Sequence, residues 1–183
     1  GIADAVGDDD FGRALSAAEE AERLARAAKD ERSEARALYH VGKAKAYLGR
    51  AEEAVAPLSR ALGLFKAHDD PEGVADVTNA LGIAEYRRGR FAEAADQFLA
   101  ALAMWEKRGD VKNQATVLSN IGSVRCQQGN LREGGDFFER SLEMQRKLGN
   151  VEGEALALNN LGIVRQHMAD YAGAIDAFLG ALA

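Results

Sequence analysis

A single cysteine, Cys126, stands in the 183 residues, so no internal disulfide can form and the chain fits a reducing compartment, the cytoplasm. Prolines number two, too few for a loop-rich or polyproline architecture. No stretch approaches the roughly 18 apolar residues that a membrane-spanning helix needs. The N-terminus, with Asp8-Asp9-Asp10, has neither the basic start nor the apolar block of a signal peptide. Basic residues are outnumbered, 23 Lys and Arg against 29 Asp and Glu for a formal charge of −6, which leaves no electrostatic footprint for nucleic acid or for an anionic membrane. Neither is an expected partner. What is abundant is Ala, Leu, Glu and Arg, the composition of an all-helical protein. Arg outnumbers Lys 16 to 7, and with the Ala and Gly content this suggests a GC-rich bacterial source.

The organising feature is a period of 40 residues. Tyr39-His40-Val41-Gly42, Asn79-Ala80-Leu81-Gly82, Ser119-Asn120-Ile121-Gly122 and Asn159-Asn160-Leu161-Gly162 occupy equivalent places. After them come Ala54 and Leu58, then Phe91, Ala94 and Phe98, then Leu131 and Phe138, then Tyr171, Ala174 and Phe178. A fixed period between about 20 and 50 residues marks a stacked repeat array. The expected organisation is one array over residues 1–183: a partial unit at 1–30, full units at 31–70, 71–110 and 111–150, and a truncated unit at 151–183. Gly1-Ile2-Ala3-Asp4 resembles Gly82-Ile83-Ala84-Glu85, as if the chain began midway along a first helix. No polar capping element is visible at either end, so a fragment of a longer protein is expected, with apolar end faces able to stack on another copy.

Each unit reads as two helices joined by a tight turn. In the second, Val77, Leu81 and Ala84 give a helix over about 72–88 its apolar face; Gly89-Arg90 turns the chain, and a helix over about 91–107 turns Ala94, Phe98, Ala101 and Leu102 inward before Gly109 ends it. Glycine inside a helix costs about 0.5–1 kcal/mol relative to alanine. Its recurrence at 42, 82, 122 and 162 therefore predicts a helix contact too close for a side chain, with Ala54, Ala94, Gly134 and Ala174 as the flat spot opposite. Phe91, Leu131 and Tyr171, with Phe98, Phe138 and Phe178, are expected to fill the wedge between units.

Leu81-Gly82, Gly89, Phe91, Ala94, Phe98 and Ala101-Leu102 together resemble the tetratricopeptide repeat pattern, over essentially the whole chain. The 40-residue unit is similar to the long-repeat subclass of Pins-type scaffolds, kinesin light chain and bacterial Rap-type and other signalling regulators. The resemblance implies an all-α, right-handed superhelix that binds a peptide segment of a partner protein in a groove lined by the first helices. Where the family has a tyrosine three residues after the glycine, this chain has Lys45, Glu85, Arg125 and Arg165, a column expected to form salt bridges between repeats, as between Glu85 and Arg125, worth about 0–1 kcal/mol each.

The family's groove positions, carried onto this sequence, give Arg36, Tyr39, His40, Lys43 and Tyr47 in the first full unit and Asp76, Asn79, Ile83, Tyr86 and Arg87 in the second. In the third they give Thr116, Ser119, Asn120, Ser123, Cys126 and Gln127, and in the fourth Asn159, Asn160, Ile163, Gln166 and His167. Asparagine is a poor helix former, so Asn79, Asn120, Asn159 and Asn160 on one stripe need a reason. Their carboxamides, which both donate and accept, either clamp the main chain of an extended peptide or bond to neighbouring helices and hold the array together. The aromatic and aliphatic residues with Arg36, Lys43, Arg87 and His167 suit a peptide with an acidic residue and one or two apolar anchors. Tyr39 and Ala80 stand where the carboxylate clamp of chaperone-binding members has Lys and Asn, which argues against a chaperone tail as ligand.

Chemistry is not expected. His40, His68 and His167 are scattered without a second His or Cys at helical ligand spacing, Cys126 has no His near it in sequence, and the Asp8-Asp9-Asp10 run lacks the spaced ligands of a calcium loop. No catalytic, metal or cofactor site is expected, and the expected function is that of a peptide-binding interaction module, with the sensory region of a larger bacterial signalling protein or a self-assembly module as alternatives.

Overall fold

The computed structural model describes residues 8–182, in which nine α-helices follow one another: α1 Asp8–Ala28, α2 Glu31–Tyr47, α3 Ala51–Ala67, α4 Pro71–Arg87, α5 Phe91–Arg108, α6 Val111–Gln127, α7 Leu131–Leu148, α8 Val151–His167 and α9 Tyr171–Leu182. No strand occurs among the described residues, and the fold is all-α as expected. The likeness of Gly1-Ile2-Ala3-Asp4 to the second unit's first helix falls outside the described residues; the acidic run at 8–10 opens α1.

The turns explain why helices of this length end where they do. A residue with positive φ stands at 29, 49, 69, 89, 109, 129, 149 and 169, one every 20 residues, so the backbone repeats at half the sequence period. Five of the eight are glycine; Lys29, Asp69 and Ala169 adopt the left-handed conformation with a side chain, at a cost of about 1–2 kcal/mol each. One residue later, before each of α2, α4, α6 and α8, a side chain caps the next helix. Asp30, Asp70, Asp110 and Asn150 accept the backbone N–H three residues on, at 3.1, 2.9, 2.9 and 3.2 Å, which satisfies one of the free donors of the first turn.

The chain divides into two compact units, Gly1–Gln97 and Phe98–Ala183, with the boundary inside α5. In the first, Leu38 and Ala35 of α2, Leu58 and Phe65 of α3, and Val77 and Leu81 of α4 form one buried cluster; Leu15 and Ala18 of α1 pack with Val41 and Ala44 of α2 in a second. In the other unit Phe138 and Leu142 of α7, Leu158, Leu161 and Val164 of α8 and Ala177 of α9 are buried together. Trp105 is 1% exposed and Phe98 2%, each contributing about 1.5–3 kcal/mol by burial.

Gly42, Gly122 and Gly162 do what their recurrence implies. A Cβ at Gly122 would meet the Gly134 carbonyl at 3.0 Å and Phe138 at 2.9 Å, and one at Gly162 would meet Phe178 at 2.5 Å. A Cβ at Gly42 would fall on Leu58 and lie 3.1 Å from the Ala54 carbonyl. Three members of the charged column find partners on second helices. Lys45 lies 3.8 Å from both Glu19 and Glu53, Arg125 3.0 Å from Glu133 and Arg165 3.7 Å from Glu139. Glu85 binds Arg88 at the end of its own helix, at 2.7 Å.

Candidate functional site

In the first unit, α2 and α4 bring residues of two successive repeats side by side. The Arg87 guanidinium lies 5.1 Å from the centre of the Tyr47 ring, whose phenol also stacks with Phe11 of α1 at 4.9 Å and 8° between planes. The Lys43 ammonium lies 5.9 Å from the Tyr39 ring, and Tyr86 packs against Phe91 at 5.6 Å. Burial, and secondarily the Asp76 carboxylate, push the Tyr39 phenol well above its ordinary pKa; burial does the same at Tyr47, opposed by Arg87. Both rings are therefore neutral in solution near pH 7 and present apolar faces with cations over them. Ile83, half-buried, rests on the core beneath.

The other residues expected on α2 divide. Arg36, His40 and Lys43 line a cavity of about 530 Å³ between α2 and α1, floored by Ala14, Ala17 and Ala21. Partial burial and the neighbouring Lys43 charge lower the His40 pKa. Sequence reasoning missed the part α1 plays here. The spacing of Ala14, Ala17, Ala18 and Ala21 at helical intervals was the available signal.

In the second unit the α6 and α8 positions differ in depth. Asn120 and Ser123 are buried, Asn159, Asn160 and Ile163 half-buried, and Gln127, Gln166 and His167 exposed. Two residues carried into the groove from the family pattern turn toward α7. Ser119 Oγ donates to Ser141 Oγ at 2.9 Å, and Ser141 in turn donates to the Ala115 carbonyl at 2.7 Å. The Cys126 sulfur occupies the space left by the missing side chain of Gly134, and burial raises the thiol's pKa. Ser123 donates to the Ser119 carbonyl at 3.1 Å. Asn79 and Asn120 are engaged by partners, whereas among the described residues no side-chain hydrogen bond holds Asn159 or Asn160. No group of three or more His, Cys, Asp or Glu among the described residues is placed to hold a metal, and no described helix is long and apolar enough to cross a membrane.

A family model described as tetratricopeptide repeat matches residues 33–107 and 113–183. The chain belongs to the tetratricopeptide repeat family. Among solved structures, it is similar to BtubC from P. vanneervenii, with 20% identity over 94% of this chain and 72% of that one and a TM-score of 0.78. A kinesin light chain protein of Podosopora anserina is 14% identical over 93% of this chain and 84% of its own, at TM-score 0.71. The Rap conjugation gene regulator of plasmid pLS20, solved with the Phr* peptide, is 21% identical at TM-score 0.85; the match covers 95% of this chain and 48% of the regulator. At these identities the likeness is one of fold. A search of curated proteins finds no match.

Proposed function

We propose that this tetratricopeptide repeat chain is a non-enzymatic, cytoplasmic protein-interaction module that takes an extended, acidic peptide of a partner protein along its first helices. The observation that carries this reading is the surface formed by α2 and α4, where Arg87 and Lys43 are held beside the Tyr47 and Tyr39 rings. Cations already ordered by aromatic faces lose less side-chain freedom on meeting a carboxylate. Ile83 supplies an adjacent apolar seat, and in the other unit the amides of Asn159 and Asn160 with Ile163 offer the same pairing of main-chain clamp and anchor. Of the two roles for the asparagines, Asn159 and Asn160 fit the clamp, while Asn79 and Asn120 already have partners.

Selection from a displayed random-peptide library, followed by affinity measurement, tests the reading. Selected peptides are expected to carry Asp or Glu with one or two large apolar residues. Arg87→Ala and the pair Asn159→Ala with Asn160→Ala are each expected to weaken binding about tenfold, a loss of about 1.4 kcal/mol, with helicity and melting temperature unchanged. Affinity is expected to fall as salt rises from about 0.05 to 0.3 M. Peptides without acidic residues, bound equally well by both variants and at all salt concentrations, would refute it. A second reading, a sensory region within a larger signalling protein, draws on the Rap regulator, whose own matching portion is about half of its length; an effector domain in the same polypeptide, responding to peptide, would distinguish it.

A further inference from the structure

The first helices of the two units offer a ligand different chemistry. At equivalent groove positions α2 and α4 carry Arg36, Lys43 and Arg87, whereas α8 carries Leu156, Ile163 and His167, and no charged residue occurs from 155 to 164. Leu156 is 53% exposed. The position is open by its register: Arg36 and Thr116, its equivalents, are exposed although α4 and α8 follow them. Between Leu156 and Ile163, on the same stripe, lie Asn159 and Asn160, half-buried and without a side-chain hydrogen bond.

A ligand for this row must bring two apolar side chains to seats two helical turns apart, about 10.5 Å, with main-chain groups between them still free to bond the amides. Within a helix the N–H and C=O groups pair with each other, as they do in the described helices of this chain, so neither a partner helix nor one from a second copy answers the amides. A β-strand has free main-chain groups, but the residues on one of its faces are about 6.8 or 13.6 Å apart. Polyproline II, with three residues per turn, puts residues i and i+3 on one face about 9.3 Å apart and leaves the main chain unpaired. We infer that α8 takes an uncharged segment of the partner peptide in polyproline II conformation. Two large apolar side chains three residues apart seat on Leu156 and Ile163, and Asn159 and Asn160 bond the main chain between them. This rests on the reading that the first helices take an extended peptide, and it adds to the acidic contacts of the first unit an apolar one that salt does not weaken.

Selection of displayed random peptides on the 183-residue chain in about 0.5 M salt, which screens exposed charge pairs, tests this. Recovered peptides are expected to share two large apolar residues separated by two others. Leu156→Asn, at an exposed position, is expected to weaken them about tenfold with helicity unchanged; Leu156→Met is expected to restore them and Arg87→Ala to leave them unaffected. Serine in place of one of the two apolar peptide residues is expected to cost about tenfold against wild type and nothing further against Leu156→Asn. N-methylation of the two intervening residues removes their N–H groups, and is expected to cost about tenfold, a loss that apolar adhesion alone would not produce. Apolar residues two or four apart, full affinity for Leu156→Asn, or unchanged binding of the N-methylated peptides overturns the inference. So does recovery of binders only at about 0.05 M salt, which leaves the acidic-peptide reading standing; binders at neither salt concentration refute both.

Discussion

The same substitution, glycine to alanine, has opposite expected effects at two positions of one hairpin. Gly42 of α2 and Gly63 of α3 are both inside helices, where alanine gains about 0.5–1 kcal/mol from lower backbone entropy in the unfolded chain. At Gly63 a Cβ meets nothing within 4 Å, so Gly63→Ala keeps the whole gain. At Gly42 the new methyl would fall on Leu58, whose Cδ2 would be 2.7 Å away, and lie 3.1 Å from the Ala54 carbonyl. Leu58 is 0% exposed and cannot swing clear, so α2 and α3 must separate. Overpacking of this kind costs about 1–3 kcal/mol, and the net for Gly42→Ala is a loss of about 1–2 kcal/mol. In a chain of this size that is a fall in melting temperature of about 2–8 °C, against a rise of about 1–4 °C for Gly63→Ala. Thermal and urea melts of both variants beside wild type, followed by helicity, measure the difference. Equal stabilities for Gly42→Ala and Gly63→Ala would refute the close-contact account of the recurring glycines.

Ala169, which holds φ of 63° in a turn where five equivalent positions are glycine, is expected to give a protein more stable by about 0.5–1 kcal/mol when replaced by glycine, the relief of the left-handed strain less the added unfolded-state entropy; a urea midpoint that does not rise contradicts this. The raised phenol pKa values of Tyr39 and Tyr47 make stability depend on alkaline pH. The unfolded chain loses these protons near pH 10 and the folded chain only above it, so their contribution is complete below about pH 10 and lost as pH rises past it. Tyr39→Phe is expected to flatten that alkaline loss and to remove part of the late rise in an absorbance titration near 295 nm; a titration curve whose late part is unchanged by the substitution would remove the burial argument.

The repeat could be read from the sequence because the residues that cannot vary without a steric penalty, Gly42, Gly122 and Gly162 among them, recur at 40 residues. The half-period of 20 could not, because Lys29, Asp69 and Ala169 take a conformation that glycine alone would have announced. At the candidate site, a helical wheel places a residue on a face but does not say how deep a neighbour lets it sink. Cys126 and Ser119 were assigned to the groove on their register, and they turn to α7 because that helix differs from its counterparts. It has Gly134 where Ala54, Ala94 and Ala174 stand in the others, and Ser141 where Ala61, Ala101 and Ala181 stand.

These departures come in compensating pairs. Gly134 lacks the methyl group that would meet the Cys126 sulfur; Ser141 has the hydroxyl that Ser119 bonds; Gln145, in the place of Phe65 and Trp105, accepts a hydrogen bond at 2.8 Å from Asn150, in the place of Asp70 and Asp110. A packed interior admits a change on one helix only with an answer on its neighbour. On the first helices the repeats differ more widely. Successive units place Lys43, Ile83, Ser123 and Ile163 at one position and Tyr47, Arg87, Gln127 and His167 at another, and of these only Ser123 is buried. Packing does not dictate side chains of such different size and charge at equivalent positions of successive repeats. Within the first unit such a difference sets Arg87 of α4 over the Tyr47 ring of α2, the arrangement on which the proposed acidic-peptide reading rests.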